Sequence, residues 1–408
     1  MRPQERCRRS GASVKEKGFK SLTRVEEAKK KFFSLLEHLG RIETAPLSES
    51  DGRIAGEDVY APRPAPHYRR AAMDGFAVKA SDTFGASESS PNRMKVGDAV
   101  SPGVAAPVHT GGSVPDEADA VLKIEDTRKT GDDLEVYAPL APGDNVSPVG
   151  EDVNEGDLLI EKGSRIGPSH LGLLRSLGIE SLKLSPKPTV AVIPTGEELV
   201  SPGEEPGPGE AVQSNGIMIA GCVRRWGGEP EEREVLSDRP EDLRSALNSS
   251  LEESDAVVFI GGSSVGRRDR IIEVLEDEGE VLVHGVAVQP GKPAALALIG
   301  DTPVLVLPGY PVAALAVAYF FLKSLIQYLI GDEGEDKTAT VKLKKKISSK
   351  LGSLSLVRVK VEDGEAYPIR VAGSGVLSSV TRSDGFVLVP EDSEGVAAGK
   401  SVELHYWR

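Results

Sequence analysis

The chain has 408 residues, enough for several domains, and its 63 acidic against 49 basic side chains leave a formal net charge of −14. That balance excludes a protein built as a whole to grip nucleic-acid backbones, which takes clustered Lys and Arg. Two cysteines, Cys7 and Cys222, exclude a disulfide framework and a cysteine-based zinc site, and fit a reducing, cytoplasmic setting.

Residues 1–20 carry Arg2, Arg6, Arg8, Arg9, Lys15, Lys17 and Lys20 with no apolar segment, so a disordered basic tail is expected and no signal peptide is visible. Thr23-Arg24-Val25-Glu26 has the form of a capping box and predicts a helix through Phe32, Phe33, Leu36 and Leu39 to Gly40. A weaker helical stretch is expected within 41–60, ending in the extended Glu57-Asp58-Val59-Tyr60, and Pro62, Pro64 and Pro66 mark a boundary. Residues 67–150 read as β-rich, with short runs such as 120–124 and 134–137 between glycines. Pro168 and Gly178 bracket a short helix over 169–177.

From Thr189 strands and helices alternate. Strands are expected at 189–193, 255–260, 281–288, 294–299 and 303–307, and helices at 215–226, 241–252, 268–277 and 312–329. This pattern predicts a mostly parallel sheet covered on both faces. Ligands of such sheets gather at the carboxyl ends of the strands. Four polar or Gly/Pro loops fall there: 194–198, the loop beginning at Gly261, 289–293 and 308–311. In the second, the apolar strand 256–260 meets Gly261-Gly262-Ser263-Ser264-Val265-Gly266 and then a helix. Backbone N–H groups and hydroxyls converging on a helix start favour an anion, often a phosphate. A plain strand-to-helix turn is the competing reading, since no P-loop or dinucleotide fingerprint is present. The run 311–322 is unbroken and apolar, but Lys323 follows. It suits a helix buried against a sheet better than a membrane span. Residues 331–337 read as a linker, and strands at 338–347, 354–361 and 401–407 make a small C-terminal β domain.

Eight segments, taken together and in this order, resemble the molybdopterin molybdenumtransferases, or molybdenum insertases. They are Ala72 to Val78, His109-Thr110-Gly111-Gly112 with Ala118 to Val121, Gly150-Glu151-Asp152, Pro194 to Leu199, Ser214-Asn215, Gly261 to Asp269, Pro290-Gly291-Lys292-Pro293 and Leu307 to Val312. The resemblance runs from about Val25 to the C-terminus. It implies a multidomain α/β and β protein: a central three-layer α/β domain with a mostly parallel sheet, a β-rich inserted domain and a small C-terminal β-barrel-like domain. The boundaries expected are 1–20 for the tail, 21–60 plus 151–186 for an elongated dimerisation domain, 61–150 for the insert, 187–332 for the α/β domain and 336–408 for the C-terminal domain.

The resemblance also implies an activity. Molybdate or tungstate is inserted into adenylated molybdopterin with release of AMP, Mg²⁺ assisting, in a cytoplasmic homodimer supplied by a molybdopterin adenylyltransferase, without nucleic acid or membrane. The residues carried over as catalytic are Asp74, Thr110, Asp152, Glu198, Asp238, Asp269 and Lys292, with Asp74, Thr110 and Asp152 reaching the cleft of the second subunit. Thr195, Gly196, Ser214, Asn215, Gly261, Gly262, Ser263, Ser264, Gly266, Pro308, Gly309 and Pro311 would hold the pterin and its phosphates. Asp269 and Glu198 would hold the metal, and Lys292, Arg358 and Ser378 the molybdate. Ordinary roles compete: Ser214-Asn215 as a helix cap, Asp238 as a helix N-cap, Asp74 as a turn residue and Lys292 as a solvated surface lysine. Gln289, Tyr310 and Ala313 depart from the family's usual Lys, Asn and Ser, while Arg267 and Arg268 add charge beside the loop. A pterin-binding scaffold without turnover is therefore a second hypothesis. Adenylyl transfer by the α/β domain is a third, which the additional N- and C-terminal domains argue against.

Overall fold

The computed structural model describes residues 22–261, 268–334, 336–369 and 373–407. The chain divides into two compact units, one formed by Glu43–Leu184 and the other by the flanking segments.

The Glu43–Leu184 unit holds a six-stranded sheet in the order 120–123, 75–78, 104–108, 92–96, 133–136, 127–130. Phe76, Val78, Leu122, Leu134 and Val136 fill one core, and Ala77, Ala106, Val108 and Val121 join a second, so the central strands 75–78 and 120–123 are buried almost throughout. Segments on either side of this insert pair with each other: Glu43–Pro46 with Ser181–Leu184, and Val59–Tyr60 with Leu158–Ile160. Leu47, Ile166, Leu174 and Leu184 form their own core, to which the helix Pro168–Ser176 contributes. The helix expected within 41–60 is absent. Glu43–Pro46 is a strand and Leu47–Glu49 a single 3₁₀ turn, because pairing with 181–184 outweighs a weak local preference.

In the second unit the central sheet runs 229–232, 189–194, 256–261, 302–308, 295–299, 280–284. The first four strands are parallel, and 295–299 and 280–284 add antiparallel pairings. Ala191, Ile193, Val257, Phe259, Val304 and Val306 meet the helices Pro240–Glu253 and Arg268–Glu278 through Leu243, Leu247, Ile271 and Leu275. The alternate residues, Val190, Val192, Val258, Leu305 and Leu307, are fully buried too, as a sheet covered on both faces requires. The helices Asn215–Trp226 and Pro311–Ile330 pack on the sheet and on each other. Pro311–Ile330 is 20 residues long with mean hydropathy 1.7, and 72% of its most apolar stretch is buried, which makes it a core helix. Its middle turn, Ala318–Leu322, is a π turn.

Strands 338–343, 365–368, 354–362, 385–389 and 401–406 close into a five-stranded barrel, since 354–362 and 385–389 also pair. The strand at 229–232 is not legible from local pattern: Glu229-Pro230-Glu231-Glu232 lacks any apolar signal and exists by parallel pairing with 189–192.

Four further expectations are corrected. The capping box does not form: Arg24 is the N-cap without a side-chain bond, and Thr23 instead makes a parallel bridge to Val286. The helix Val25–Phe33 stops early and packs in the α/β unit, where Lys31 Nζ donates to the Leu282 carbonyl. The single strand expected over 281–288 breaks into Glu280–His284 and Val288–Gln289; the second piece pairs in parallel with Leu354–Ser355 at the start of a barrel strand. The linker is not free chain either, because Tyr319 Oη and Lys323 Nζ both bond the Asp336 carboxylate.

Candidate active site

At the carboxyl end of the central sheet the chain leaves its strands where side chains can no longer pair, and the polar loops gather. Two neighbouring cavities open there. The first, of about 470 Å³, is lined by Thr195, Glu198, Ser214, Asn215, Gly309 and Pro311, with Val212 as an apolar wall. The buried Thr195 continues the Thr189–Pro194 strand, with its N–H on the Ile260 carbonyl at 2.9 Å. Gly196 follows with its N–H on Leu236 and a Cβ position only 3.0 Å from the Glu198 carboxyl. Ser214 occupies the N-cap position of Asn215–Trp226 but makes no side-chain cap. The ordinary capping role is therefore not used, and Ser214 lines the cavity. Asn215 donates through Nδ2 to the Gly309 carbonyl at 2.6 Å, which ties two of the loops together, and its Oδ1 is buried without a hydrogen-bond partner. A helix N-terminus with hydroxyl and amide groups around it suits a phosphate ester.

The second cavity, about 820 Å³, lies between the 289–293 loop and the barrel. Lys292, Lys350 and Arg358 line it together with Ser348, Ser349, Ser355 and Ser374, and among the described residues no Asp or Glu does. Arg358 is 8% exposed, and burial pulls its guanidinium below the ordinary arginine pKa. Lys292 sits on a loop held by the Val286 N–H to Lys292 carbonyl bond at 2.9 Å. Gly291 adopts φ +128°, and a Cβ there would stand 2.6 Å from Val317 Cγ2, so only glycine lets this loop lie against the helix. Tyr310 borders both cavities, half exposed, with its ring against Gly375 of the barrel segment. Pro308 borders the second cavity and Gly261, paired with Pro308, ends the strand beside the first.

Some expected residues lie elsewhere. Asp238 is 3% exposed and lines neither cavity; nor is it a helix cap, since Arg239 is the N-cap of Pro240–Glu253. Ser378 is exposed at the start of the short helix Ser378–Thr381 and lines neither cavity, whereas Ser374 lines the second. Gly262, Ser263, Ser264, Gly266 and Arg267 lie outside the described residues, as do the side chains of Arg268 and Asp269. In the Glu43–Leu184 unit, Asp74 accepts hydrogen bonds from the Thr110 N–H at 2.7 Å and Thr110 Oγ1 at 3.1 Å. The backbone bond, then the hydroxyl, hold its carboxyl below the ordinary value, so it is ionised at neutral pH. Gly75, next to it, has φ +156°, and a Cβ would overlap the Leu122 carbonyl at 1.9 Å. Asp152 is exposed, with its N–H on the Ala65 carbonyl. Asp74 and Thr110 are thus brought together. Cys222 is no hidden nucleophile: burial raises its thiol to about 11.

Lys350 and the serines of the second cavity were not foreseen. Ser348-Ser349-Lys350 reads locally as a solvated turn, and the signal that places it is the pairing of residues 288–289 with 354–355, which is non-local.

Comparison with known proteins matches three successive parts of the chain. Residues 23–178 match the MoeA N-terminal region (domain I and II), 191–328 the probable molybdopterin binding domain, and 340–407 the MoeA C-terminal region (domain IV). A Methanocaldococcus jannaschii protein assigned provisionally to molybdopterin biosynthesis is 38% identical over 95% of this chain and 98% of its own length. The Bacillus subtilis molybdopterin molybdenumtransferase is 30% identical over 90% of each chain. A crystal structure of the Pyrococcus horikoshii molybdopterin biosynthesis MoeA protein matches with a TM-score of 0.84 at 31% identity, covering 95% of this chain and 100% of that one. The chain belongs to the MoeA family, whose bacterial members include the molybdopterin molybdenumtransferases.

Proposed function

We propose that the protein is a molybdopterin molybdenumtransferase: it inserts molybdate or tungstate into adenylated molybdopterin, forming molybdenum cofactor and releasing AMP. The observation that carries this reading is the adjacency of two unlike cavities bordered by one residue, Tyr310. One offers a helix terminus, hydroxyls and an amide to the phosphate end of a substrate. The other offers three cations and, among the described residues, no carboxylate, which suits a tetrahedral oxyanion. Lys292 and Arg358 hold that oxyanion, Thr195, Ser214 and Asn215 hold the pterin phosphate, and the closely packed Gly309 and Pro311 let the ligand approach the backbone.

Mg²⁺ fits the first cavity's donor set. Glu198, the Thr195 and Ser214 hydroxyls and the buried Asn215 Oδ1 are all oxygen donors, and Mg²⁺ takes one or two carboxylates with substrate phosphates and water. Asp269 is the further carboxylate proposed for it. When bound, the cation offsets charge as the phosphoanhydride is cleaved. The protein is proposed to act as a cytoplasmic homodimer, with the ionised Asp74, Thr110 and Asp152 of each subunit completing the cleft of the other. A molybdopterin adenylyltransferase would supply its substrate.

The test is AMP release from adenylated molybdopterin with Mg²⁺, measured without oxyanion, with molybdate and with tungstate. Oxyanion-dependent release with the metal retained on the pterin is expected. Tight pterin binding without AMP release would favour the scaffold reading and make Gln289→Lys the first variant to prepare. Asp269→Ala should lower release strongly with the dimer intact; unchanged turnover would remove Asp269 from the site.

A further inference from the structure

Lys350 is held far more firmly than a turn lysine needs to be. Before it, Ile347–Ser348 pairs with Gly395–Val396, and the Ser349 N–H donates to the Glu394 carbonyl at 2.8 Å. After it, the Gly352 N–H donates to the Glu391 carbonyl at 2.8 Å and the Leu354 N–H to Ala287 at 2.8 Å. Ser349 Oγ and Ser355 Oγ lie 2.7 Å apart, and Ser355 is the register partner of Gln289. Residue 350 is therefore carried by backbone anchors to the edge of the 289–293 loop. Its side chain borders the same cavity as Lys292 and Arg358, and no described carboxylate forms an ion pair with Lys292 or Lys350. In a chain of net charge −14, three cations around one space, with no acid among the described residues that line it, concentrate positive potential at that point.

We propose that Lys350 is a substrate-binding residue for the oxyanion, contributed by the barrel, and that with Lys292 and Arg358 it sets the affinity of the second cavity for a tetrahedral dianion. The neutral Gln289 at the same edge leaves Lys350 as the cation on that side. This rests on the reading of the second cavity as the molybdate site. Arg358 is fixed in a strand and buried. Lys350 is exposed, so its ammonium can meet the ion as it arrives and remain against it once bound.

The experiment measures half-saturating molybdate in AMP release, and separately the Kd for adenylated molybdopterin, in the full-length protein. Lys350→Ala should raise half-saturating molybdate about tenfold, as loss of roughly 1.4 kcal/mol would, with a smaller loss of maximal rate and an unchanged pterin Kd. Lys350→Arg should restore most of the affinity. Raising the ionic strength should shrink the difference between wild type and Lys350→Ala. Lys346→Ala, which removes a barrel charge that does not line the cavity, should leave both constants at wild-type values. A wild-type molybdate response in Lys350→Ala overturns the role of Lys350 and leaves the insertase reading standing. Equal losses in Lys350→Ala and Lys346→Ala would reduce the effect to general charge and also overturn it. AMP release by the wild type that ignores molybdate would overturn both proposals.

Discussion

The two cavities sit side by side and are built differently. The first is built mostly from the ends of regular elements: a strand end at Thr195, a helix start at Ser214 and Asn215, and backbone at Gly309. Its polarity is local, and its donors were fixed once the α/β fold formed. The second takes its charge from three separate places: a loop for Lys292, a turn for Lys350 and a barrel strand for Arg358. A sheet edge supplies dipoles and hydroxyls; a net positive potential required a second domain. The difference suggests that substrate shape is read by one side and ionic charge by the other.

Arg358→Ala should produce the largest effect. Removing a buried cation from a charged contact costs about 3–5 kcal/mol, so oxyanion-dependent AMP release should fall at least about 100-fold while pterin affinity changes little. Comparable losses in both would dissolve the distinction between the cavities. Gly291→Ala comes next, since its Cβ meets Val317 at 2.6 Å in a backbone region that disfavours side chains. A loss of about 1–3 kcal/mol is expected in denaturant unfolding, together with weaker oxyanion binding as Lys292 moves. Asn215→Ala probes the other side. Loss of its bond to Gly309 should weaken pterin binding by about 1–2 kcal/mol and leave half-saturating molybdate unchanged; isothermal titration with the pterin substrate reads this directly.

The smallest effect concerns pH. Burial lowers the His405 pKa below its ordinary 6.5, against the opposing pull of Glu403 and Asp336 and in the same direction as Lys323. The unfolded chain therefore binds the proton more readily than the folded one. Stability attributable to His405 is present above 6.5 and is lost as pH falls through the folded value. His405→Asn should flatten the decline in Tm between neutral and mildly acidic pH, a change confined to the barrel side.

Much of the α/β unit was legible because parallel strands buried on both faces write themselves as apolar runs, as in 256–260 and 303–307. The same pattern located the loops at 194–198 and 308–311, whose residues do line the first cavity. What escaped depended on partners distant in sequence. Glu229–Glu232 has no strand signal without its neighbour, Thr23 prefers a bridge to Val286 over capping its own helix, and Lys350 gains meaning only beside Gln289. Ser374 borders the second cavity and Ser378, four residues on, does not, a distinction that local pattern between short strands does not make.

The two-residue ladder between Val288–Gln289 and Leu354–Ser355 has a consequence for taking the protein apart. By composition the barrel looks like an appendage that could be cut off after residue 334. Yet one edge of the 289–293 loop uses a barrel strand as its hydrogen-bonding neighbour, and Lys350 and Arg358 leave with that strand. A fragment ending at 334 would keep the first cavity's residues apart from Gly375 and would retain Lys292 as the lone cation of the second. If the barrel supplies half of the proposed oxyanion site, a dissected α/β fragment should bind a pterin phosphate and not respond to molybdate.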